Sequence, residues 1–130
     1  MLGYVPVPAD VEKLARVCVD CGMHVPRELG PGFKEVIYER AFCLELNARG
    51  VPFETEKRIL VRYKAWTIAG QKVDLLVGGV VLVEIKAVPR LRQIHTHQIL
   101  SYLKTLDLRL GLLMNFKQRL LRDGLKRVVR

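Results

Sequence analysis

Asp74, Glu84 and Lys86 are three charges set in two runs that are otherwise apolar, Val73-Asp74-Leu75-Leu76-Val77 and Val80-Val81-Leu82-Val83-Glu84-Ile85-Lys86. A charge in a buried strand is costly unless it is paired, hydrogen-bonded or bound to a metal. Two carboxylates facing each other at short range repel unless a cation lies between them. Hard oxygen donors that leave positions open for water suit Mg²⁺ or Mn²⁺. A lysine beside them can position or deprotonate an attacking water, or stabilise negative charge developing on a phosphate. The combination fits metal-assisted phosphodiester hydrolysis. The alternative is a cross-strand salt-bridge set on a solvated face, worth about 0.2 to 1 kcal/mol, and the apolar character of both strands argues against it.

Whether the three charges meet depends on the turn between the runs. Gly78-Gly79 supplies the positive φ that tight hairpins need. Glu84 and Lys86 are two apart on a strand and point to the same side. A two-residue loop would pair Val77 with Val80 and send Glu84 away from Asp74. A three-residue loop, Gly78 to Val80, pairs Val77 with Val81 and sets Asp74 across from Glu84. A site therefore requires the longer turn or a bulge within the hairpin.

The elements that must hold this hairpin are readable in order. Residues 1 to 8, with Pro6 and Pro8, read as an arm. Asp10 is placed to cap a helix through Val11, Leu14, Ala15, Val17, Cys18, Cys21 and Val25, with Pro26 at its end. Cys18-Val19-Asp20-Cys21 has the spacing of zinc and redox sites, but only His24 and Cys43 are available as further ligands, which favours small buried residues on a helix face. Leu29-Gly30-Pro31-Gly32 leads into a second helix ending at Gly50, in which Tyr38, Phe42 and Leu46 form the core-facing stripe and Glu35 falls on the same line. Glu35 is either a site carboxylate or a first-turn residue complementing the helix dipole. Phe53 to Tyr63, Trp66 to Val77 and Val80 to Ala87 then read as an antiparallel meander, with Ile59, Val61 and Tyr63 on one face of the first strand and Arg58, Leu60 and Arg62 on the other. A helix from about Leu91 to Leu106 buries Ile99, Leu103 and Leu106 and carries His95, Gln98 and Tyr102 on an adjacent arc. Leu108 to Phe116 forms a fourth strand, parallel to the third across the helical crossover, and Leu125 to Val129 a short last one.

The length of 130 residues, half of them hydrophobic, fits one domain over 1–130 with a core that needs no disulfide or metal. Lysine and arginine number 22 against 13 acidic residues, a net charge of +9 that favours polyanionic partners such as nucleic acid. Three cysteines, no signal peptide and no apolar run approaching about 20 residues set the expectation of a soluble, cytoplasmic protein.

Asp74 and Glu84-Ile85-Lys86, preceded by a helix carrying Glu35, resemble the core of the PD-(D/E)XK, or restriction-endonuclease-like, nuclease superfamily. More closely, Gly32-Phe33-Lys34-Glu35-Val36-Ile37-Tyr38 resembles the signature of the GxxExxY family. Leu29-Gly30-Pro31-Gly32, Asp74-Leu75-Leu76-Val77, Glu84-Ile85-Lys86-Ala87, Ile94-His95, Gln98, Tyr102 and Gly111-Leu112-Leu113-Met114-Asn115-Phe116 also fit it. Val73 stands where the superfamily name has proline. The resemblance implies an α/β fold: a restriction-endonuclease-like core of helix, three-stranded antiparallel meander, crossover helix and fourth strand, with an extra N-terminal helix.

The resemblance further implies that Asp74, Glu84 and the Ile85 backbone carbonyl bind Mg²⁺ or Mn²⁺, with Glu35 completing or orienting the metal site. Lys86 would be the catalytic lysine, and Gln98 with Tyr102 would hold a DNA end near the metal. On the residues alone, Gln98 and Tyr102 are a helix surface pair one turn apart. His95 suits the site rim and His97 faces solvent. Arg58, Arg90, Arg92, Lys117, Arg119 and Arg122 are placed to meet phosphates or to form a solvated basic face. The expected activity is that of a metal-dependent deoxyribonuclease, the alternative a non-catalytic nucleic-acid-binding or protein-interaction module. The small size favours a homodimer or a separate targeting partner.

Overall fold

Apolar residues recurring three and four apart make the first two helices, and the computed structural model, which describes residues 5–130, places both on one face of a sheet. Residues 1 to 4 of the expected arm lie outside the described residues, and Val5 to Pro8 form no helix or strand. Helix α1 (Ala9–Leu29) buries Val11, Ala15, Cys18, Cys21, Gly22 and Val25 along one stripe. Its boundaries correct two expectations. Pro8 takes the N-cap position, so Asp10 sits inside the first turn, where its charge still complements the dipole. Pro26 does not end the helix, because so near the terminus it forfeits one backbone donor while Gly30 N–H still closes the last turn onto Pro26 O at 2.9 Å. Helix α2 (Glu35–Ala48) buries Tyr38, Phe42 and Leu46 as the period requires.

The strands are β1 (Phe53–Tyr63), β2 (Trp66–Val77), β3 (Val81–Lys86), β4 (Leu110–Asn115) and β5 (Leu125–Val129), in the order β1-β2-β3-β4-β5. All neighbours are antiparallel except β3 and β4, which run parallel because helix α3 (Gln93–Leu106) crosses between them. This is the restriction-endonuclease-like α/β arrangement with its additional N-terminal helix. Alternation sorts the strand residues into two cores. Leu75, Val77, Val81, Val83, Ile85, Leu112 and Met114 meet α1 and α2, while Leu82 and Leu113 meet Ile99 and Leu103 of α3. Helix α3 lies close on β4 because Gly111 has no side chain; a Cβ there would stand 2.7 Å from Ile99 Cγ2. Leu106, expected on its buried side, is only partly covered. None of the helices among the described residues is long and apolar enough to cross a membrane.

The β1–β2 ribbon behaves differently along its length. Val73 joins the core beneath α3 whereas Leu75, two residues on, joins the opposite one. The ribbon turns over between them, opposite Glu56, which has a positive φ of 50°. Further out, a bulge separates the Ile59↔Gln71 and Val61↔Ile68 pairs, with Gly70 at φ 122° on the longer side. Beyond it Val61 and Tyr63, which share a strand face with buried Ile59, are exposed.

The β2–β3 turn takes the longer form. Val77 pairs with Val81, and Val80 N–H donates to Val77 O at 3.1 Å across Gly78 and Gly79, whose φ values are 57° and 73°. A Cβ on Gly78 would also come within 2.5 Å of Leu14 Cδ2 on α1, whereas one on Gly79 would meet nothing. Gly79→Ala should cost the backbone term alone, about 1 to 2 kcal/mol. Gly78→Ala should cost that plus displacement of Leu14, a larger loss of urea-unfolding free energy. Equal losses would show that the turn does not depend on the α1 contact.

Candidate active site

The register Leu76↔Leu82, Leu75↔Val83 brings Asp74 opposite Glu84 at the next step, and there the ladder passes from backbone to side chains. Asp74 N–H donates to Glu84 Oε1 at 2.9 Å, and Ile85 N–H donates to Asp74 Oδ2 at 2.8 Å. The strands part at this point, each carboxylate capping the other strand's free N–H. An extended residue directs its N–H and C=O to the same neighbour, so the Ile85 carbonyl also faces the opening. Phe116 N–H takes Lys86 O at 2.9 Å on the β4 side, which fixes the phase of β3.

Glu84 is only 5 % exposed. Burial first, and the Asp74 charge second, push its carboxyl up to about 8 against the pull of Asp74 N–H and Lys86. Among the described residues the main chain bonds Glu84 through Oε1 and Asp74 through Oδ2. Lys86, half-buried, makes no ion pair among the described residues.

Helix α2 delivers Glu35 to the rim of this opening. Burial and the Asp74 charge raise its pKa and Lys86 lowers it, so it senses both strands. Its loop is fastened by Tyr38, whose hydroxyl donates to Gly30 O at 2.7 Å and accepts from Phe33 N–H at 3.2 Å while its ring stacks on Phe116. Tyr38 thus ties the turn over residues 30–33 to the helix that begins at Glu35. Glu39, one turn beyond Glu35, was not anticipated. Burial, then Asp74, Glu56 and Glu35, raise its pKa to about 7. The sequence signal was the four-residue spacing from Glu35, which places both on one helix face.

Helix α3 supplies the third wall. Tyr102 accepts from Gln71 Nε2 at 2.9 Å, tying α3 to β2, and burial followed by the Glu84 and Asp74 charges raises its phenol. His95 accepts from Arg92 N–H through Nδ1 at 2.9 Å, capping the helix start, and burial, Lys86 and Arg92 lower its pKa. Gln98 is half-buried one turn from Tyr102, and His97 is exposed. Asn115, also unanticipated, is 1 % exposed and staples the chain leaving β3: its Oδ1 accepts from Val88 N–H at 3.1 Å and its Nδ2 donates to Val88 O at 2.8 Å. Arg90 and Arg92 follow on this segment, exposed; Arg58, Lys117, Arg119 and Arg122 are exposed as well.

Among the described residues no three His, Cys, Asp or Glu side chains converge into a ligand set. Glu35, the first residue of α2, is exposed at the rim, on the same helical line as Tyr38 and Phe42. Asp74 and Glu84 still fit a hard cation, being adjacent carboxylates whose mutual repulsion a cation would relieve. Cys18 and Cys21 are 0 % exposed in the core, as small buried residues should be. Two grooves beside α1, both lined by Val19, Met23 and Leu125, and a third lined by Pro89, Arg90, Leu91 and Asn115 include neither Asp74 nor Glu84 in their walls.

Glu84 and Glu39 hold pKa values above the ordinary 4.5. Their stability contribution is complete below that value and lost as pH rises through about 8 for Glu84 and about 7 for Glu39. Without divalent ions, Tm should fall across this interval. Glu84→Gln, which keeps the acceptor for Asp74 N–H, should make the fall shallower; an unchanged slope would show that Glu84 does not titrate there.

Comparison with curated proteins and with solved structures returns no match. A family model described as the PD-(D/E)XK nuclease superfamily matches residues 12–128, a span holding the strand fork, helices α2 and α3, most of α1 and β5 up to Val128. With that match over nearly the whole chain, and carboxylates of two adjacent strands meeting beside a lysine, the chain belongs to the PD-(D/E)XK nuclease superfamily.

Proposed function

We propose that the chain is a metal-dependent nuclease of the GxxExxY kind, hydrolysing phosphodiester bonds in DNA. The observation that carries the reading is the Asp74–Glu84 pair at the point where β2 and β3 part, with Lys86 two residues along the same strand. Asp74, Glu84 and the Ile85 carbonyl would hold Mg²⁺ or Mn²⁺, with Glu35 orienting the site from the rim. When bound, such an ion supplies Lewis-acid polarisation of the phosphate and a more acidic water.

The chain's own groups do the rest. Lys86 shares a strand face with Glu84 and has no carboxylate partner at ion-pair distance among the described residues, so its ammonium is free to position a water or meet charge on the phosphate. Gln98 and Tyr102 would hold the strand being cut, with His95 at the edge. Arg58, Arg90 and Arg92 would meet neighbouring phosphates, a sequence-independent attraction that weakens with salt.

One observation favours a second reading, a nucleic-acid-binding module on the same fold: both carboxylates already bond main-chain N–H groups. Two measurements separate the readings. Mn²⁺ should raise the Tm of the wild type and of Lys86→Ala but not of Asp74→Ala. On labelled DNA with Mg²⁺ or Mn²⁺, Lys86→Ala should lower cleavage by about 10²-fold or more. Absence of any Mn²⁺ shift, or cleavage indifferent to Lys86, would overturn the nuclease reading.

A further inference from the structure

Among the described residues nothing covers the side chains at the outer half of the β1–β2 ribbon. Leu60, Val61, Tyr63, Trp66 and Ile68 are 60, 39, 56, 65 and 53 % exposed. The register pairs Val61 with Ile68 and Tyr63 with Trp66, and directly paired residues share a face, so two aromatic rings and two aliphatic side chains form one continuous surface at the tip. A water-exposed surface of this kind marks an interaction site rather than a packing residue of the core.

Charge says what kind. From Lys57 to Val73 the chain carries Lys57, Arg58, Arg62, Lys64 and Lys72 and no acidic residue. Lys57 and Lys72 are paired with Glu54 and Glu56 at the root of the ribbon, while Arg58, Arg62 and Lys64 make no ion pair among the described residues. Lys64 Nζ stands 5.5 Å from the Tyr63 ring centre, so cation and π-face are presented together. Arg62 pairs with Thr67 on the reverse face from Tyr63 and Trp66, so aromatic rings and free cations stand back to back on one narrow ribbon, which complements unpaired bases on one side and a phosphate backbone wrapping its edge. A duplex hides its base faces in stacking, and its grooves are read by polar side chains, which this ribbon face lacks.

We propose that the β1–β2 arm binds single-stranded nucleic acid, Tyr63 and Trp66 stacking on bases while Arg58, Arg62 and Lys64 meet phosphates. The proposal rests on the nuclease reading only for the class of partner. The arm leads directly to the carboxylates: Gln71 bonds Tyr102 and Asp74 follows on the same strand. A strand held at the tip is thereby directed along β2 toward the fork.

Trp66 is the only tryptophan of the chain, so its emission reports on the tip alone. Titration with an oligothymidylate of about 20 nucleotides, in EDTA so that nothing is cleaved, should quench it, and a duplex of equal length should not. By anisotropy of the labelled oligonucleotide, Tyr63→Ala and Trp66→Ala should each weaken binding about tenfold. Arg62→Ala with Lys64→Ala should reduce the salt slope by about 1 to 2. These residues are exposed, and unchanged circular dichroism would verify folding. If binding persists and cleavage fails, the nuclease reading falls and the arm stands. Unaltered binding by Tyr63→Ala and Trp66→Ala, equal quenching by duplex, or a Trp66-dependent self-association in sedimentation would overturn the arm proposal.

Discussion

A carboxylate buried in a sheet must find a donor, and here two of them find it in the backbone of each other's strand. Asp74 and Glu84 replace a rung of the β2–β3 ladder, so the cost of burying them is offset by hydrogen bonds that the strands would otherwise have made directly. That exchange opens the sheet at one place and leaves like charges adjacent in the opening. Everything else in the site is a wall around this fork: α2 on one side, α3 on the other, the chain leaving β3 at the end.

The walls are held by residues that do no chemistry themselves. Tyr38 clamps the loop that aims Glu35, Gln71 fixes Tyr102, Asn115 fastens Val88, and the bare Cα of Gly111 lets α3 settle on β4. Each is a short-range constraint on a long side chain or a loop, the usual requirement for keeping reactive groups within a fraction of an ångström. The turn at Gly78 and Gly79 belongs with them, because it sets the register from which the meeting of Asp74 and Glu84 follows.

Much of this was legible in the residues. The period of Tyr38, Phe42 and Leu46 gave α2, and the runs around Gly78-Gly79 gave the hairpin. The need to bring Asp74 against Glu84 selected the longer turn that the structure has. The misses have physical causes. Pro26 was read by its local preference, which the last turn of a helix tolerates. Glu39 and Asn115 sit in unremarkable sequence and acquire meaning only from what the fold places beside them. Strand alternation on β1 assigned Val61 and Tyr63 the face of Ile59 but could not say that the sheet beneath them ends.

The two cysteines of α1 bear on how the fold is opened. Both are sealed against the sheet, and burial pushes the Cys18 thiol up to about 12, so thiolate is scarce and solvent has no path to it. Alkylation or oxidation must wait until α1 lifts away. The consumption of Cys18 by a thiol reagent therefore reports the opening of that helix, in the same layer that carries Leu14 against the hairpin turn.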